Sequence, residues 1–366
     1  MERTTGKQSV KREIVIVGGG PAGLCAALTA AKQGAKVTLI ESEEHLGGQL
    51  IKQTHMFFGS QKQRAGTRGM DIANELIKEL KELPNVELML GTTVLSRYYE
   101  DGMITIEDHE AFKIMHPDCL IIATGASERM LSFPNNDLPG VYGAGAVQTL
   151  MNVYGIKPAD RVLMVGAGNI GLIVSYQLMQ AGVKVVGIVE AGPQIGGYLV
   201  HASKIRRLGV PILTRHTISK ALGEKQVEGA ILHQLNDQWQ AISGTEQKIE
   251  CDAICLAVGL TPFSDLLWQA GCEMRFVREW GGHIAYRNEE LMTSIPGIYI
   301  AGDVAGVEEA SAAMVEGSIA GLNAAISLGY TTEQDSLHKE DLRQQLFDLR
   351  SGPVGERIRS GLAKLS

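Results

Sequence analysis

The sequence predicts an α/β protein built from two Rossmann-like, three-layer ββα domains. Two observations carry this prediction. A strand, a glycine turn, a helix and a second strand follow one another twice along the chain, and a later glycine motif precedes a helix of small residues. Glycine makes up 43 of the 366 residues without a collagen-like period, an excess typical of tight turns and of close backbone approach to a ligand.

The first copy of the repeat lies near the N-terminus. A β-branched run over 13–17 leads into a glycine turn over 18–23, an alanine-rich helix follows, and a second strand ends in Glu41, 23 residues after Gly18. In such a unit the first glycine makes the turn, the second lets the backbone approach a pyrophosphate, and the third allows the helix to pack on the strand. The acid accepts hydrogen bonds from ribose hydroxyls. The predicted contacts are Gly18, Gly20, Pro21, Ala22, Gly23 and Glu41.

The second copy repeats this order in the middle of the chain. A strand over 161–165 leads into a glycine turn over 166–171, and the next strand ends in Glu190, 24 residues after Gly166. In both copies a Gly-Gly pair begins six residues after the acid, at Gly47 and at Gly196. Two complete units at matching offsets are a much more specific signal than one glycine motif, and they predict two dinucleotide sites.

Further motifs extend the pattern over most of the chain. The segments 120–125 and 253–259 each carry a buried strand to a glycine, and the segment 297–303 ends in Gly302-Asp303. With these motifs the chain resembles the flavoproteins with two dinucleotide-binding domains, the group that includes thioredoxin reductase and glutathione reductase. The resemblance implies an FAD site in the first copy and an NAD(P) site in the second.

The resemblance also implies individual contacts. For FAD it adds Gly48, Gln49, Ala123, Thr124, Gly125, Gly302, Asp303, Ser311 and Ala312. For the pyridine nucleotide it implies Gly166, Gly168, Asn169, Ile170, Gly171, Glu190 and Gly259. The start of the small-residue helix at 310 would direct free N–H groups and a positive dipole toward the N1/O2 side of a reduced flavin.

The domain organisation follows from the same resemblance. It implies a discontinuous FAD-binding domain over 1–135 and 278–330, an inserted NAD(P)-binding domain over 140–275, and a helical C-terminal tail over 331–366. Within the tail, an amphipathic pattern over 338–350 predicts a helix that either closes the fold or contacts another protein chain. The apolar residues of this pattern are Leu342, Leu346, Phe347 and Leu349.

The five cysteines argue against a redox-active disulfide. They are an odd number with no CxxC pair, and the segment after Gly48 contains none. Alternation predicts that Cys251 and Cys255 share one face of a strand, and no lysine or histidine adjoins them to activate a thiol. We therefore expect packing roles for the cysteines, no metal site, and a reduced cytoplasmic chain.

Relatives of this group without redox cysteines include NADH-dependent reductases and the dinucleotide-binding subunits of amine dehydrogenases. The second set comprises sarcosine oxidase, opine oxidase and dye-linked proline dehydrogenase types, and the segments 47–50, 138–142 and 165–171 are most similar to it. Many of its members carry a cysteine-rich [2Fe–2S] extension at the C-terminus. Here Cys272 is the last cysteine, so an iron–sulfur centre or second flavin would belong to a partner subunit.

Glu190 favours NADH over NADPH. A carboxylate accepts hydrogen bonds from ribose hydroxyls and repels a 2′-phosphate. No arginine directly follows Glu190 to bind such a phosphate. Arg206 and Arg207 lie 16 and 17 residues further on and keep NADPH open as the alternative.

Four side chains are candidates for catalysis or for binding a substrate or partner. Lys52 is a candidate to stabilise the charge of a reduced flavin, and His55 is a candidate to move protons near pH 7. The alternative for both is an ordinary loop position. Arg64 and Arg68 either receive an anionic substrate or partner, or lie in a solvated loop.

The leading hypothesis is an FAD-dependent oxidoreductase. It would transfer hydride between NADH and a flavin, and electrons to or from a small acceptor or partner protein. The alternative is an electron-transfer subunit of a multi-subunit amine or imino-acid dehydrogenase, and a third possibility is an inert nucleotide-binding scaffold. The net charge of −7 shows no basic cluster for nucleic acid, and no run reaches the ~20 apolar residues of a membrane span. A homodimer or hetero-oligomer is the expected assembly.

Overall fold

The structure is a computed structural model that describes residues 10–57, 60–108, 111–353 and 355–365. The helices within these ranges are α1 (Pro21–Lys32), α2 (Gly69–Lys81), α3 (Ala144–Asn152), α4 (Asn169–Gln180), α5 (Leu199–Arg207), α6 (Asp265–Gln269), α7 (Ala310–Ser327), α8 (Asp335–Leu349) and α9 (Glu356–Leu362). Short 3₁₀ turns lie at Gly48–Lys52, Gln61–Gln63, Arg278–Trp280 and Gly302–Ala305.

The strands fall into an early and a late series. The early series is β1 (Val10–Val17), β2 (Val37–Ile40), β3 (Val86–Met89), β4 (Thr93–Arg97), β5 (Ile104–Glu107), β6 (Phe112–Ile122), β7 (Ala126–Glu128), β8 (Val141–Gly143), β9 (Arg161–Val165) and β10 (Lys184–Glu190). The late series is β11 (Ile212–Thr214), β12 (His216–Leu222), β13 (Gly229–Gln234), β14 (Gln247–Ile249), β15 (Ala253–Leu256), β16 (Leu260–Pro262), β17 (Met274–Val277), β18 (Gly282–Ala285) and β19 (Ile298–Ile300).

The chain forms two compact units. Unit 1 contains the chain up to Ser127 and again from Thr261 onward, and unit 2 is the continuous stretch Glu128–Leu260. The sequence predicted that the chain enters the inserted domain at 135–140, whereas the structure has this boundary at 127/128. The return was predicted at 275–278, whereas the structure has it at 260/261. The return comes earlier because Leu266, Leu267 and Cys272 are buried in a core of unit 1.

Unit 1 is organised around one sheet with the order β3-β2-β1-β6-β5-β4, and β19 pairs with the C-terminal part of β6. The strands β3, β2, β1, β6 and β19 run parallel, whereas β4 and β5 are antiparallel additions on the long β6. Parallel strands place their carboxyl ends at one edge, so Gly18, Glu41 and Ala123 all follow strands at that edge.

Both faces of this sheet are covered. Ile14, Ile16 and Leu39 pack in the core beneath α1 and α7, while Val15 and Ile40 pack in the core on the other face. The alternation along β1 therefore sends successive side chains into two different cores, as expected of a sheet that is buried on both sides.

The contact of α1 with α7 depends on two glycines. A Cβ added at Gly317 would lie 2.0 Å from the Ala22 carbonyl oxygen, and one at Gly321 would lie 2.3 Å from that of Ala26. Only hydrogen fits at these two positions, so the backbones of the two helices approach closely. This approach sets the first turn of α1 against the second turn of α7.

Unit 2 has the predicted three layers. A parallel sheet of order β11-β10-β9-β15-β8 carries helices on one face, and the antiparallel sheet β12-β13-β14 contributes Ile218, Ala230 and Leu232 to the core on the other. The α/β, two-domain fold of the sequence prediction is confirmed.

The prediction that Cys251 and Cys255 share a face is wrong. Cys255 packs in the core beneath the helices, and Cys251 packs in the core on the opposite face of the sheet. Strict alternation does not extend to Cys251, because β15 begins only at Ala253.

The C-terminal residues belong to unit 1 rather than to a separate tail. Leu342 and Leu346 of α8 are buried in the core beneath α1 and α7, and Leu349 packs against it, while Phe347 is exposed. Ile358 and Leu365 pack with Trp280. The amphipathic pattern thus located a helix that closes unit 1.

Gly321→Ala is expected to destabilise unit 1. The added methyl group meets the Ala26 backbone, and such overpacking lowers the free energy of unfolding by about 1–3 kcal/mol. This loss exceeds the gain in helix propensity, so the thermal midpoint should fall by roughly 5 °C. Ser318→Ala on the same helix is the matched control, because the side chain it truncates is only partly buried. Thermal unfolding followed by circular dichroism measures both variants, and an unchanged midpoint for Gly321→Ala would contradict the close helix contact.

Candidate dinucleotide sites

The glycine turn of unit 1 contains two glycines that packing requires. Gly18 has φ +107°, and a Cβ there would lie 2.3 Å from the Ala123 carbonyl oxygen. A Cβ at Gly23 would lie 1.8 Å from the Gly18 carbonyl oxygen. Any side chain at either position would displace backbone, so these residues are fixed by the strand–turn–helix geometry itself.

Gly20 is different, because nothing in the protein requires it to be glycine. It caps α1 with φ −76°, a value open to every residue, and the atom nearest to an added Cβ is the Gly48 Cα at 3.9 Å. No side chain caps this end of α1, and Pro21 at the first helical position has no N–H. The N–H groups that follow are therefore not capped by any side chain at this helix N-terminus, an arrangement that favours an anion.

The glycine turn of unit 2 repeats this division. A Cβ at Gly166 would lie 2.2 Å from the Ala257 carbonyl oxygen, and one at Gly171 would lie 2.1 Å from the Gly166 carbonyl oxygen. Gly168, which caps α4, has φ −74°, and an added Cβ would meet no atom within 4 Å.

The Gly-Gly pairs after the acids pack against these turns. The Gly47 N–H donates to the Gly19 carbonyl at 2.8 Å, and Gly48 has φ +50° and lies against Gly20. In unit 2 the Gly196 N–H donates to the Ala167 carbonyl at 3.1 Å. Gln49, a predicted FAD contact, is exposed in the 3₁₀ turn that begins at Gly48.

Glu41 closes the first site from the end of β2. Its Oε2 accepts a 2.6 Å hydrogen bond from the Gly19 N–H. Its Oε1 accepts from the Glu43 N–H at 3.0 Å and from the Ser42 hydroxyl at 3.1 Å. The backbone thus holds the carboxylate beside the glycine turn in one orientation, and a carboxylate has further lone pairs to accept from a ribose.

Glu190 takes the same position in unit 2. Its Oε2 accepts from the Ala167 N–H at 2.9 Å, and its Oε1 accepts from the Gly192 N–H at 2.9 Å. Asn169, by contrast, has its side-chain oxygen engaged by the Tyr198 N–H at 2.8 Å. The predicted contact of Asn169 with a nucleotide would therefore be made by its backbone or its amide NH₂, while Ile170 beside it is exposed.

The strand-end motifs lie next to the turns. Ala123 donates its N–H to the Val17 carbonyl at 2.8 Å, and the Thr124 hydroxyl donates to the Phe263 carbonyl at 2.7 Å. Gly125 has φ +73° with nothing within 4 Å of an added Cβ. In unit 2 Gly259 has φ +116° and receives the Arg129 N–H on its carbonyl at 3.0 Å.

Asp303 lies in the 3₁₀ turn Gly302–Ala305, directly before α7. Its carboxylate accepts from the Glu308 N–H at 3.3 Å. Burial, with smaller contributions from the charges of Glu316 and Glu308, raises the pKa of Asp303 to about 7 against the lowering effect of that hydrogen bond. Ser311 and Ala312 are buried in the first turn of α7, which no side chain caps.

Sequence reasoning missed a buried charge cluster beneath this turn. Glu316 forms ion pairs with Arg287 and with Arg350, and Arg350 also pairs with Glu308. One signal was available: Glu316 is the lone charged residue in the small, apolar helix α7. The two arginines lie far away in sequence, and no local pattern marked them.

The structure assigns no role to the proposed catalytic side chains. Lys52 ends the 3₁₀ turn after Gly48, and the His55 ring stacks with the Phe57 ring at a centroid distance of 6.1 Å. Both side chains are half-buried. Arg64 forms an ion pair with Glu75, and Arg68 is exposed before α2.

The five cysteines are all free and buried. Burial raises the pKa of the Cys25 thiol to about 12, raises that of Cys251 to about 12, and raises that of Cys255 as well. Such thiols do not form the thiolate that disulfide exchange requires. No group of three potential metal-ligating side chains occurs among the residues with described positions.

A known protein family matches the part of the chain that holds the glycine turns, the paired acids and the late Gly-Asp turn. The family described as pyridine nucleotide-disulphide oxidoreductase matches the chain over residues 12–317. The chain belongs to this family. The five cysteines of this family member are all free in the structure, so they form no disulfide.

The relatives of this family member include components of larger enzymes. It is 27% identical over 345 residues to the hydrogen cyanide synthase subunit HcnB of Pseudomonas protegens, covering 89% of the chain and 72% of that protein. An opine oxidase subunit of Agrobacterium tumefaciens is 26% identical, with 88% of the chain and 67% of that protein covered. The alpha subunit of sarcosine oxidase from Rhizobium meliloti is 28% identical over 84% of the chain, which spans only 30% of that protein.

Solved structures show the same fold. Thioredoxin reductase of T. acidophilum gives a TM-score of 0.72 at 24% identity, covering 87% of this chain and 99% of that one. L-proline dehydrogenase of P. horikoshii gives a TM-score of 0.69 at 22% identity, covering 92% of this chain and 59% of that one. Among the helices with described positions, none is long and apolar enough to cross a membrane.

Asp303→Asn is expected to change how stability depends on pH. The folded chain raises the pKa of Asp303 from 3.8 to about 7, so the folded state holds this proton more tightly than the unfolded state. Wild-type stability therefore falls, relative to the asparagine variant, as the pH rises from about 4 to about 7.

Urea unfolding of the nucleotide-free chain across this pH range measures the difference between the two proteins. Asp160→Asn, at a side chain that is 81% exposed, is the control. If the difference in the free energy of unfolding between wild type and Asp303→Asn stays constant with pH, the raised pKa is contradicted.

Proposed function

We propose that this chain is a flavoprotein oxidoreductase in which unit 1 binds FAD without a covalent bond and unit 2 binds NADH. Hydride passes between the nicotinamide and the flavin, and electrons then pass to or from a small acceptor or a partner protein. The observation that carries the proposal is the open space at Gly20 and Gly168. Each has an ordinary φ, and no protein atom lies closer than 3.9 Å to an added Cβ.

FAD fits the residues of unit 1. Gly20 and the N–H groups of Ala22 and Gly23 would hold the pyrophosphate, and Glu41 would accept from the adenosine ribose. Asp303 would hold the ribityl chain, and the first turn of α7 would present N–H groups to the pyrimidine end of the flavin. Bound FAD supplies the hydride chemistry, while these residues orient it and set the charge around it.

NADH fits the residues of unit 2 better than NADPH does. Two backbone N–H groups hold the Glu190 carboxylate beside the glycine turn, so it cannot swing away from a 2′-phosphate without losing both hydrogen bonds. Arg206 and Arg207 are exposed at the end of α5. The proposed role of Glu190 is to accept from the ribose hydroxyls and to disfavour the extra phosphate.

Lys52 and His55 are proposed to act beside the flavin, Lys52 by stabilising negative charge and His55 by moving a proton. The position of both residues just after the Gly48 turn supports this, since that turn packs on the phosphate-facing Gly20. The buried, high-pKa thiols support a reaction without a redox disulfide in a reducing, cytoplasmic environment.

A second candidate is an electron-transfer subunit of an amine or imino-acid dehydrogenase. The observation in its favour is that several relatives are themselves subunits of larger enzymes, among them opine oxidase and sarcosine oxidase. In this case the amine is oxidised on a partner chain, and any iron–sulfur centre or second flavin belongs to that partner. A homodimer is the alternative assembly.

An anaerobic titration distinguishes these functions. The purified chain, loaded with FAD, is mixed with NADH and, separately, with NADPH while the visible flavin absorbance is recorded. Bleaching by NADH at concentrations about tenfold below those needed for NADPH is the expected result. Bound flavin that neither nucleotide bleaches would overturn the reductase function, and bleaching by an amine only after a partner is added would favour the second candidate.

Gly20→Ala and Gly168→Ala are matched variants that test the two sites separately. Each places a methyl group where the proposal puts a pyrophosphate, so Gly20→Ala is expected to weaken FAD binding by about tenfold or more, and Gly168→Ala to weaken NADH binding similarly. Stability should change little, because the poorer helix cap is offset by a less flexible unfolded chain.

Isothermal titration with each nucleotide measures both affinities, and thermal unfolding checks the fold. Each variant serves as the control for the other, since each should leave the second nucleotide unaffected. Wild-type affinity of Gly20→Ala for FAD would contradict the proposed position of the pyrophosphate.

A further inference from the structure

Four buried charged side chains of unit 1 form a balanced cluster, here named the charge cluster: Arg287, Glu308, Glu316 and Arg350. The Glu316 Oε1 lies 3.0 Å from Arg287 and 2.5 Å from Arg350. Arg350 also binds Glu308 through two hydrogen bonds, at 3.1 Å and 2.5 Å. The four side chains are at most 10% exposed, so each charge depends on its partners for compensation.

The charge cluster is attached to the turn that carries Asp303. The Gly302 N–H donates to Glu316 Oε2 at 2.9 Å, which fixes the start of the turn. Arg287 donates to the Ala305 carbonyl, which fixes its end. The Glu308 N–H reaches Asp303 itself at 3.3 Å. The turn is therefore held at both ends and in the middle by members of the cluster.

One of the two cations comes from the C-terminal segment. Arg350 directly follows α8, and its carbonyl accepts a hydrogen bond from Arg359. Beyond it, α9 packs Gly361 against Trp280, whose ring also lies 4.9 Å from the Arg287 guanidinium. The segment is thus packed so as to keep the Arg350 guanidinium inside unit 1.

We propose that Arg350 is a positioning residue for the flavin, through which the C-terminal segment sets both the position of the Asp303 turn and the charge beneath it. This proposal rests on the proposed function, in which Asp303 and α7 hold FAD. Without the guanidinium, two buried carboxylates share one cation, and an uncompensated negative charge lies under the turn. That charge disfavours the electron-rich reduced flavin and strains the Gly302–Ala305 turn.

The test compares Arg350→Met with the double variant Arg350→Met/Glu308→Gln. The single variant leaves one cation for two acids, whereas the double variant restores one cation for one acid. We expect Arg350→Met to weaken FAD binding by about tenfold or more and to shift the midpoint potential of the bound flavin to more negative values. The double variant should recover most of both losses. A purely structural role predicts no recovery, because the double variant removes still more hydrogen bonds.

Arg343→Met, on the helix that Arg350 follows, is the matched control. The Arg343 side chain is 44% exposed and its carboxylate partner, Glu289, is 87% exposed, so its removal should leave both readouts unchanged. FAD affinity is measured by quenching of flavin fluorescence, and the potential by equilibration with a redox dye under anaerobic conditions.

The outcomes separate this proposal from the one it rests on. A wild-type chain that binds no FAD overturns both. Wild-type FAD binding together with unchanged affinity and potential in Arg350→Met, or no recovery in the double variant, overturns only the role of Arg350. Should Arg350→Met fail to fold, Glu308→Gln gives the opposite imbalance and must shift the potential to more positive values; an unchanged potential then overturns the proposal.

Discussion

The close packing of α1 against α7 is the constraint on which unit 1 depends. Gly317 and Gly321 allow the α7 backbone to lie almost on that of Ala22 and Ala26. Because the helices touch there, the first turn of α1 packs against the second turn of α7. Glu316, next to Gly317, lies under the Gly302 turn and accepts the Gly302 N–H. A bulkier interface would separate the two helices.

The two glycine turns divide their glycines into two kinds. Gly18, Gly23, Gly166 and Gly171 are required by contacts with neighbouring backbone, and the protein alone explains them. Gly20 and Gly168 are unexplained by any protein contact. Under the proposed function, a close ligand would supply the reason. The two acids also correspond, because Glu41 and Glu190 each accept a hydrogen bond from the N–H of the second residue of their turn. The protein alone therefore sets the shape of both turns and the orientation of both carboxylates.

Local patterns made most of the fold predictable, and their limits are physical. The strand–turn–helix units and the acids at the strand ends are encoded within about 25 residues, so the sequence alone located them. The return crossing at 260/261 and the opposite faces of Cys251 and Cys255 depend on which core each segment meets, which no short pattern records. The charge cluster is the extreme case, because Arg287, Glu316 and Arg350 come together only in the folded chain.

The interruption of unit 1 by unit 2 sets an order on folding during synthesis. Unit 2 is one continuous stretch, so its core is complete once residue 260 has left the ribosome. Unit 1 must wait longer, because β19 pairs with β6 and α7 covers α1 only after residue 327 has been made. Contacts of such long sequence separation close slowly. The early half of unit 1 therefore stays incompletely covered while the inserted domain folds, which makes it the part of the nascent chain most in need of chaperone protection.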